Sequence, residues 1–276
     1  MRTIFICLTI MITTVSALAQ KVKVMTYNIR YDTPADSVNQ WGKRTSKVYA
    51  LIGKQDPDVL GVQEALHNQV TDLVANLKGY AFVGVGRDDG KTKGEYSAIL
   101  FKKDRFTVTK EGTFWLSPTP SVAGSKGWDA AITRVATWAI MKDNKTGKSF
   151  FMLNTHFDHM GKEARRESAL IIKRKGAELA GALPVIVTGD LNCTREEPPY
   201  TALMSNEGLP LVDPAPSPAP GTFCTFKVNS IDCRPIDYVF YTKQWKASGY
   251  EAVKDNDGKY YPSDHLPVVV TLELIP

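Results

Sequence analysis

The sequence predicts a layered α/β fold built on mixed β-sheets. Short apolar, β-branched runs alternate with helical patterns along most of the 276 residues, and this alternation is typical of α/β domains. Several apolar runs follow one another without a helix between them, so the sheets cannot consist of parallel βαβ units alone. The chain shows no internal repeat and is long enough for one large domain with a substantial core.

Ten short segments predict the strands. Each is a run of apolar residues, rich in β-branched or aromatic side chains, that either alternates with polar residues or stays apolar throughout. The runs are residues 22–28, 59–63, 81–85, 97–101, 106–114, 137–141, 150–155, 185–188, 238–241 and 268–274.

Four segments predict helices, because small or apolar residues recur among charged ones at helical spacing. The longest, residues 163–182, carries Ala169 and Ile172 among Lys, Arg and Glu, as expected of a surface helix. The Pro-rich stretch 213–221 predicts a surface loop rather than a domain linker, since apolar runs of the same pattern follow it. The other predicted helices are residues 43–54, residues 68–77 and a short helix near 199–205.

Residues 1–19 resemble a secretory signal peptide. Arg2 supplies a positive start, residues 4–18 are apolar with a few Thr and Ser, and small residues end the segment at Ala19. We therefore expect cleavage after Ala19, export to the periplasm or the extracellular space, and a single domain over residues 20–276. No other segment approaches transmembrane length.

The charge balance does not favour a nucleic-acid-binding protein, although it leaves that partner possible. The formal net charge is only +5, and no Lys/Arg block has the density expected of a strong contact with a phosphate backbone. We expect a monomer.

The cysteines are few and suit an oxidising compartment. Cys224 and Cys233 could form a disulfide across the short loop between them. Cys193 would then be free, and we interpret it as a small residue that fills space under a loop rather than as a reactive thiol.

Polar side chains stand at the ends of, or inside, six apolar runs. In the last of these, two prolines hold Asp264 and His265 in a stiff corner before the final strand, an arrangement unsuited to a core. Six such segments indicate an active site rather than chance. They are residues 25–28, 62–64, 153–158, 187–192, 236–238 and 261–267.

Glu64 is the candidate metal ligand, because it lies at the end of a buried strand. Mg²⁺ prefers one or two carboxylates together with waters and substrate phosphate oxygens, and Asn28 and Asp264 could assist Glu64. The alternative for Glu64 alone is a charge that favours the N-terminus of the helix beginning near Asn68.

His265 is the candidate proton-transfer group. Asp237 lies in an alternating apolar run, where an unpaired carboxylate would be costly, so we expect it to hold the imidazole in one tautomer. The alternative partner for Asp237 is Arg234.

Two pairs of polar residues are spaced so that their side chains point to one side of an extended segment. Asp190 and Asn192 could position a water and bind a phosphoryl oxygen, and His156 and Asp158 repeat the spacing. We assign no role to His67 and His159, which we expect at the surface or behind the site residues.

These ordered motifs resemble the endonuclease/exonuclease/phosphatase superfamily, which has the DNase I fold, over essentially all of residues 20–276. The residues that carry the resemblance are Asn28, Gln63-Glu64, Asn154-Thr155-His156, Gly189-Asp190-Leu191-Asn192, Ile236-Asp237-Tyr238 and Ser263-Asp264-His265. Four further stretches resemble a bacterial exported subgroup of metal-dependent hydrolases: residues 41–44, 94–97, 115–117 and 155–159.

The resemblance implies a four-layer α/β sandwich in which two mixed sheets pack face to face between helices. It also implies an enzyme that hydrolyses a phosphodiester or phosphomonoester by in-line attack of an activated water. Glu64 would hold Mg²⁺ or Mn²⁺, with Asn28 and Asp264 supporting that site.

The resemblance implies a role for each of the remaining residues. Asp190 would orient or deprotonate the attacking water, and Asn192 would bind the phosphoryl group. His265, oriented by Asp237, would neutralise the phosphate or act as the base, so the choice of base between Asp190 and His265 stays open. His156 would stabilise the transition state or assist the leaving group.

The substrate is less well defined. For a small phosphate ester, Trp41, Arg44, Trp128 and Arg134 could form a pocket in which Arg binds phosphate and Trp stacks, although both Trp residues could instead cover the sheets.

Three other functions remain as alternatives. A nuclease would need a basic groove studded with aromatic residues, which the mild charge does not favour. A sphingomyelinase-like lipid headgroup hydrolase would need an exposed apolar hairpin, for which residues 114–116 and Trp128 are the candidates. A secreted binding protein that keeps the fold without the chemistry is the least favoured, because every residue that the chemistry requires is present.

Overall fold

A computed structural model describes residues 20–275, and in this part of the chain twelve strands and four α-helices form four layers. A 3₁₀ segment, Pro34–Asn39, precedes the first helix. The helices are α1 (Trp41–Gln55), α2 (His67–Asn76), α3 (Lys162–Ala180) and α4 (Pro198–Met204). The strands are β1 (Lys21–Asn28), β2 (Val59–Ala65), β3 (Tyr80–Val83), β4 (Tyr96–Lys102), β5 (Phe106–Trp115), β6 (Val135–Asp143), β7 (Ser149–His156), β8 (Val185–Asp190), β9 (Leu211–Val212), β10 (Asp237–Thr242), β11 (Trp245–Ala252) and β12 (Val268–Leu274).

The predicted signal peptide, residues 1–19, lies outside the described residues. Within residues 20–275, none of the helices has the length and apolar character needed to cross a bilayer.

The strands form two six-stranded sheets. The first has the order β11-β12-β1-β2-β4-β3, and the second has the order β5-β6-β7-β8-β10-β9. β1 runs parallel to β2 and β7 runs parallel to β8, whereas the other pairs are antiparallel. Both sheets are therefore mixed, as the sequence predicted.

Three apolar clusters hold the layers together. One fills the space between the sheets, where Val24 and Ile99 of the first sheet belong to the same cluster as Met152 and Val239 of the second. The other two lie between each sheet and its helices, where β-strand side chains meet Leu51 of α1 and Leu73 of α2, or Ile172 of α3 and Leu203 of α4. The layers run helix, sheet, sheet, helix, which confirms the predicted α/β sandwich.

The helices bury the faces that their sequences make apolar. In α1 the buried positions recur every three or four residues, so they share one face of the helix. They are Trp41, Arg44, Val48, Leu51 and Ile52. The helix ends where Asp56 adopts a left-handed conformation, with φ of 44°, and its N–H donates to the carbonyl of Ile52.

Each predicted strand and helix corresponds to an observed element, with ends shifted by a few residues. Two strands were missed. β9 has only two residues, and β11 is an exposed edge strand in which the pairing register shifts between Ser248 and Glu251 around Gly249. A bulge of this kind breaks the alternation from which a strand is recognised.

The sheet topology gathers the polar strand ends at one edge. Because β1 and β2 are parallel, Asn28 pairs with Gln63, next to Glu64. For the same reason His156 at the end of β7 pairs with Asp190 at the end of β8. β10 and β12 run in the opposite direction, so their beginnings lie at this edge, and Asp237 pairs with Asp190.

The cysteines follow the prediction. Cys224 and Cys233 form a disulfide, and Cys193 is free and buried. Burial raises the pKa of the Cys193 thiol to about 12, which disfavours the reactive thiolate.

Candidate active site

A cavity of about 590 Å³ opens at the edge where the strand ends meet, between the two sheets. Asn28 and Asp237 are buried behind it and hydrogen-bond to residues that line it. Seven predicted site residues line the cavity itself: Glu64, Arg134, His156, Asp190, Asn192, Asp264 and His265.

Glu64 lies in a β-bulge of β2. The register between β2 and β4 shifts between Val62 and Ala65, and Glu64 adopts a left-handed conformation with φ of 63°. Non-glycine residues rarely take this conformation, and they do so most often at functional sites. The bulge turns the carboxylate into the cavity, so Glu64 does not serve as the helix N-terminal charge that we weighed as the alternative.

Glu64, Asp190 and His265 each offer one ligand atom, and these three atoms lie within 4.8 Å of one another. Asn28 joins the two carboxylates, because its Nδ2 donates to Glu64 Oε1 and to Asp190 Oδ2, both at 2.9 Å. The backbone N–H of Tyr31 donates to Glu64 Oε2 at 3.2 Å. Asn28 thus orients the carboxylates rather than presenting its own oxygen, which accepts from the N–H of Arg30.

These residues fit a divalent cation, since Mg²⁺ and Mn²⁺ prefer hard carboxylate oxygens. Burial and the charge of Asp237 raise the pKa of Asp190 to about 7. Burial also raises the pKa of Asp264, which lies near Glu64. Crowded buried carboxylates repel one another, and a cation among them would relieve that repulsion. Arg30 compensates only in part, at 3.8 Å from Glu64 and 3.9 Å from Asp264.

His265 is held by Asp237, as predicted from the apolar run around that carboxylate. His265 Nδ1 lies 2.9 Å from Asp237 Oδ2, and His265 Nε2 lies 3.7 Å from Asp190 Oδ2. Burial opposes the charged imidazolium, but Asp237 and Asp190 outweigh it and raise the pKa of His265 to about 10. Arg234, the alternative partner of Asp237, instead lies 3.7 Å from Glu197.

His156 and Asn192 form the other side of this group. Asn192 Nδ2 lies 3.0 Å from His156 Nε2, and the N–H of Asn192 donates to Asp190 Oδ1 at 2.9 Å. Asn192 is held in a left-handed conformation with φ of 48°. Burial, together with the positive charges of Arg134 and Arg87, lowers the pKa of His156 well below its ordinary value, so this imidazole is neutral at pH 7.

Comparison with known proteins decides the family. A model of the Endonuclease/Exonuclease/phosphatase family matches residues 25–265. The chain belongs to this family. Its members hydrolyse phosphoric esters, so the protein is an enzyme of that class.

Three relatives illustrate the range of the family. An endonuclease/exonuclease/phosphatase from Bacteroides vulgatus is 43% identical, with a TM-score of 0.86 and coverage of 92% of this chain and 99% of that one. A mannosyl-6-phosphatase from Bacteroides thetaiotaomicron is 37% identical, with a TM-score of 0.83 and coverage of 91% and 99%. Nocturnin of Drosophila melanogaster is 24% identical over 86% of this chain, which spans 42% of Nocturnin's length.

Two of the predicted substrate-binding residues lie in the interior, so that assignment was wrong for them. Arg44 is buried and donates to the carbonyls of Ile29, Arg30, Asn39 and Pro262 at 2.5 to 3.2 Å. Trp41 packs beneath the Arg44 guanidinium, and its Nε1 donates to Asp72. Arg44 supports the cavity edge from behind, because its contacts join the segments after β1 and before β12, and Trp41 packs against it.

Trp128 and the apolar stretch after β5 also lie away from the cavity lining. Trp128 is partly buried against the core beneath α3 and α4, so the assignment of this residue to the substrate pocket was wrong as well. Phe114, Trp115 and Leu116 are at most 6% exposed, so the apolar hairpin required by a lipid headgroup hydrolase does not form there.

Asp158 does not face the cavity with His156, although their spacing suggested it. Its Oδ1 accepts from the backbone N–H groups of Met160 and Gly161 at 2.9 and 2.7 Å, and its Oδ2 accepts from Ile132 at 3.2 Å. Asp158 thus organises the turn that leads into α3.

Sequence reasoning missed several residues that line the cavity. Arg30 follows Asn28 by two positions, a spacing that could have revealed it. His159 is exposed, in line with the expectation, but it was given no role and also lines the cavity. Glu95 belongs to the stretch 94–97 that carries the subgroup resemblance but was given no role, and Arg87 lies in a polar loop without periodicity, so only the tertiary structure reveals that both line the cavity.

Proposed function

We propose that the protein is a divalent-cation-dependent phosphatase that hydrolyses a small phosphomonoester. One observation carries this proposal: Glu64, Asp190 and His265 converge, with one side-chain oxygen or nitrogen of each within 4.8 Å of the others, in a cavity of about 590 Å³. A cavity of this size is typical of small-molecule sites rather than of grooves for polymers.

Glu64 is the proposed ligand of Mg²⁺ or Mn²⁺, with Asp264 nearby and Asn28 orienting the carboxylate. When bound, the cation would neutralise phosphoryl oxygens and stabilise the charge that develops on them. The donor set supports this role because it consists of carboxylate oxygens, held in place by the amide of Asn28.

Asp190 is the proposed group that orients and deprotonates the attacking water. Its Oδ2 is central to the site, since it accepts from Asn28 and lies 3.4 Å from His156 and 3.7 Å from His265. His265, whose Nδ1 is committed to Asp237, would donate from Nε2 to a phosphoryl oxygen. Preorganised donors of this kind contribute much of the rate in phosphoryl transfer.

Asn192 and His156 would bind the other phosphoryl oxygens and the leaving group. The side-chain amide of Asn192 is held between His156 and the carbonyl of Phe157, each at 3.0 Å. His156 is neutral at pH 7, so it would contribute hydrogen bonding rather than a full charge.

A monoester is favoured over a nucleic acid for two reasons. A relative that is 37% identical over nearly its whole length is a mannosyl-6-phosphatase, and the chain has only a mild positive charge. We also propose export, because residues 1–19 resemble a signal peptide and the Cys224–Cys233 disulfide suits an oxidising compartment.

The proposal is tested by a substrate screen on chelator-treated protein to which Mg²⁺ or Mn²⁺ is added back. The probes are p-nitrophenyl phosphate, mannose 6-phosphate, bis-p-nitrophenyl phosphate and single-stranded DNA and RNA. We expect cation-dependent release of inorganic phosphate from the two monoesters. Cleavage of nucleic acid without monoester turnover would make the protein a nuclease and would contradict the proposal.

A further inference from the structure

The cavity has a second half that the proposed chemistry does not use. Arg87, Glu95 and Arg134 line the same cavity as Glu64 and His265. A separate narrow pocket beside the cavity is lined by the same three residues and His156, together with Tyr96, Ser97 and Val135. Since His156 contacts Asn192 on its other side, this half, which we call the arginine half, adjoins the proposed phosphoryl site.

Arg87 and Glu95 form a fixed pair, and Arg134 lies beside Glu95 at 3.9 Å. Arg87 Nη1 donates to Glu95 Oε2 at 2.6 Å, and the N–H of Arg87 donates to the carbonyl of Glu95 at 3.1 Å. The carbonyl of Arg87 accepts from Trp115 Nε1 at 2.7 Å. The backbone and side chains are therefore preorganised before any ligand arrives.

Arg134 has donors that the protein does not use. This residue is only 5% exposed, yet its Nε and Nη1 have no hydrogen-bond partner within residues 20–275, and the same is true of Arg87 Nε. The acids near Arg134 lie too far away to accept a hydrogen bond, because Glu95 is at 3.9 Å and Asp158 is at 3.8 Å. Buried donors left without acceptors are costly, so they indicate a ligand.

The carboxylate of Glu95, between the guanidinium groups of Arg87 and Arg134, suits a ligand with several hydroxyl groups better than an anionic ligand. Hydroxyl groups can donate to Glu95 and accept from Arg134 at the same time, whereas an anion would meet the charge of Glu95. A nucleobase would need a stacking ring beside the cluster. Tyr31 and Phe223 line the cavity on its other side, next to Glu64 and His265. Tyr96 lies beside the cluster, but it is 2% exposed and already stacked on His67, so it presents no free face to a base.

We infer that Arg87, Glu95 and Arg134 form a subsite that recognises the hydroxyl groups of a sugar phosphate and so determines substrate specificity. This inference rests on the proposed phosphatase function and names its substrate class. The phosphate would bind beside Glu64 and His265, while neighbouring hydroxyls of the sugar would bind to Glu95 and the free donors of Arg134.

The test compares a phosphate ester that carries hydroxyls with one that lacks them. For each variant we would measure kcat/KM for mannose 6-phosphate and for p-nitrophenyl phosphate, with Mn²⁺ present, and take the ratio. In Glu95→Gln the ratio should fall about 10- to 100-fold, mainly through KM for the sugar phosphate, because a charged hydrogen bond to a hydroxyl is weakened. Glu178→Gln, which removes a surface acid paired with Lys175, is the matched control and should keep the wild-type ratio.

The outcomes separate this inference from the proposed function. If kcat/KM falls equally for both substrates, or falls for neither, the ratio is unchanged. That result would overturn the inference, while the phosphatase function stands. If the wild-type protein hydrolyses neither ester with any cation, the proposed function itself fails. Should Glu95→Gln not fold, Arg87→Gln tests the inference in the same assay. Arg87 is chosen over Arg134 because it is more exposed, so its substitution should disturb the fold less. Its ratio should also fall, and a wild-type ratio in that variant would overturn the inference.

Discussion

The two halves of the cavity shift the pKa of a histidine in opposite directions. In the acidic half, around Glu64, Asp190 and Asp237, the surrounding carboxylates raise the pKa of His265 to about 10 in spite of burial. In the arginine half, burial together with Arg134 and Arg87 lowers the pKa of His156 well below its ordinary value. Both imidazoles are 5% exposed, so the difference comes from the neighbouring charges and not from solvent access.

This contrast separates two tasks in one small space. The acidic half gathers the groups that suit a cation, a water and a phosphoryl group. The arginine half holds unused donors that suit the rest of the substrate. Substitutions in the two halves should therefore have different effects on turnover and on substrate preference.

Glu64→Gln should abolish the chemistry of the acidic half. We expect kcat/KM for p-nitrophenyl phosphate to fall by roughly 10³-fold or more, because cation stabilisation contributes several kcal/mol. The melting temperature should stay within a few degrees of the wild type. Glu273→Gln, in a surface pair with Lys21, is the control. Wild-type turnover in Glu64→Gln would contradict the assignment of Glu64 as the cation ligand.

Asp237→Asn should show whether His265 depends on its carboxylate partner. We expect kcat to fall by about 10²- to 10³-fold with little change in KM, since the imidazole loses both its orientation and much of its charge. Asp213→Asn removes another buried carboxylate, one that is paired with Arg195 away from the cavity. That control should lose stability but keep kcat. Similar kcat values in both variants would argue against a role for Asp237.

Arg44→Met distinguishes an arginine that supports the site from those that line it. It should lower the free energy of unfolding by about 2–4 kcal/mol, because several buried carbonyls lose their donor. Denaturant unfolding measures this effect. Arg134→Met should instead change the ratio of sugar phosphate to p-nitrophenyl phosphate turnover. A reversal of these two phenotypes would contradict the positions that we assign to the two arginines.

The two histidines should also differ in how they link pH to stability. The pKa of His265 is raised, so the native state holds that proton more tightly; its contribution is complete below pH 6.5 and is lost as the pH rises through about 10. The pKa of His156 is lowered, so its contribution is present above pH 6.5 and is lost as the pH falls below that value.

The pKa difference behind this contrast can be measured by imidazole ¹⁵N NMR on cation-free protein, which reports the protonation state of each ring. The variants His156→Gln and His265→Gln assign the signals. We expect His265 to be charged at pH 8 and His156 to be neutral at pH 6. If both side chains titrate near pH 6.5, the two halves of the cavity do not differ electrostatically.

The sequence predicted the acidic half far better than the arginine half. Parallel pairing brings strand ends to one edge, so Asn28, Glu64 and Asp190 could be grouped from their positions after apolar runs. Arg87 lies in a polar loop whose path depends on tertiary contacts, such as the hydrogen bond from Trp115. Glu95 belongs to a stretch that resembles the bacterial subgroup, but no local pattern indicates that its side chain lines the cavity.

Arg44 was predicted to bind substrate, but its position in the helix pattern indicates that it is buried. Arg44 stands four positions before Val48 and seven before Leu51, so helical spacing places it on the buried face of α1. A long side chain with five donors can be buried there only because backbone carbonyls accept from it. These acceptors lie in the loop before α1 and, for Pro262, far along the chain. The strand β11 was missed for a similar reason, since its pairing partner β12 compensates for an irregular sequence.

The central claim is that strand ends from both sheets form one divalent-cation site. Anomalous diffraction from a crystal soaked with Mn²⁺ tests it most directly. We expect a manganese peak bonded to the carboxylate of Glu64, at about 2 Å from its oxygen, and within the cluster formed with Asp190 and Asp264. A peak at another surface, with no density beside Glu64 at saturating Mn²⁺, would contradict the account.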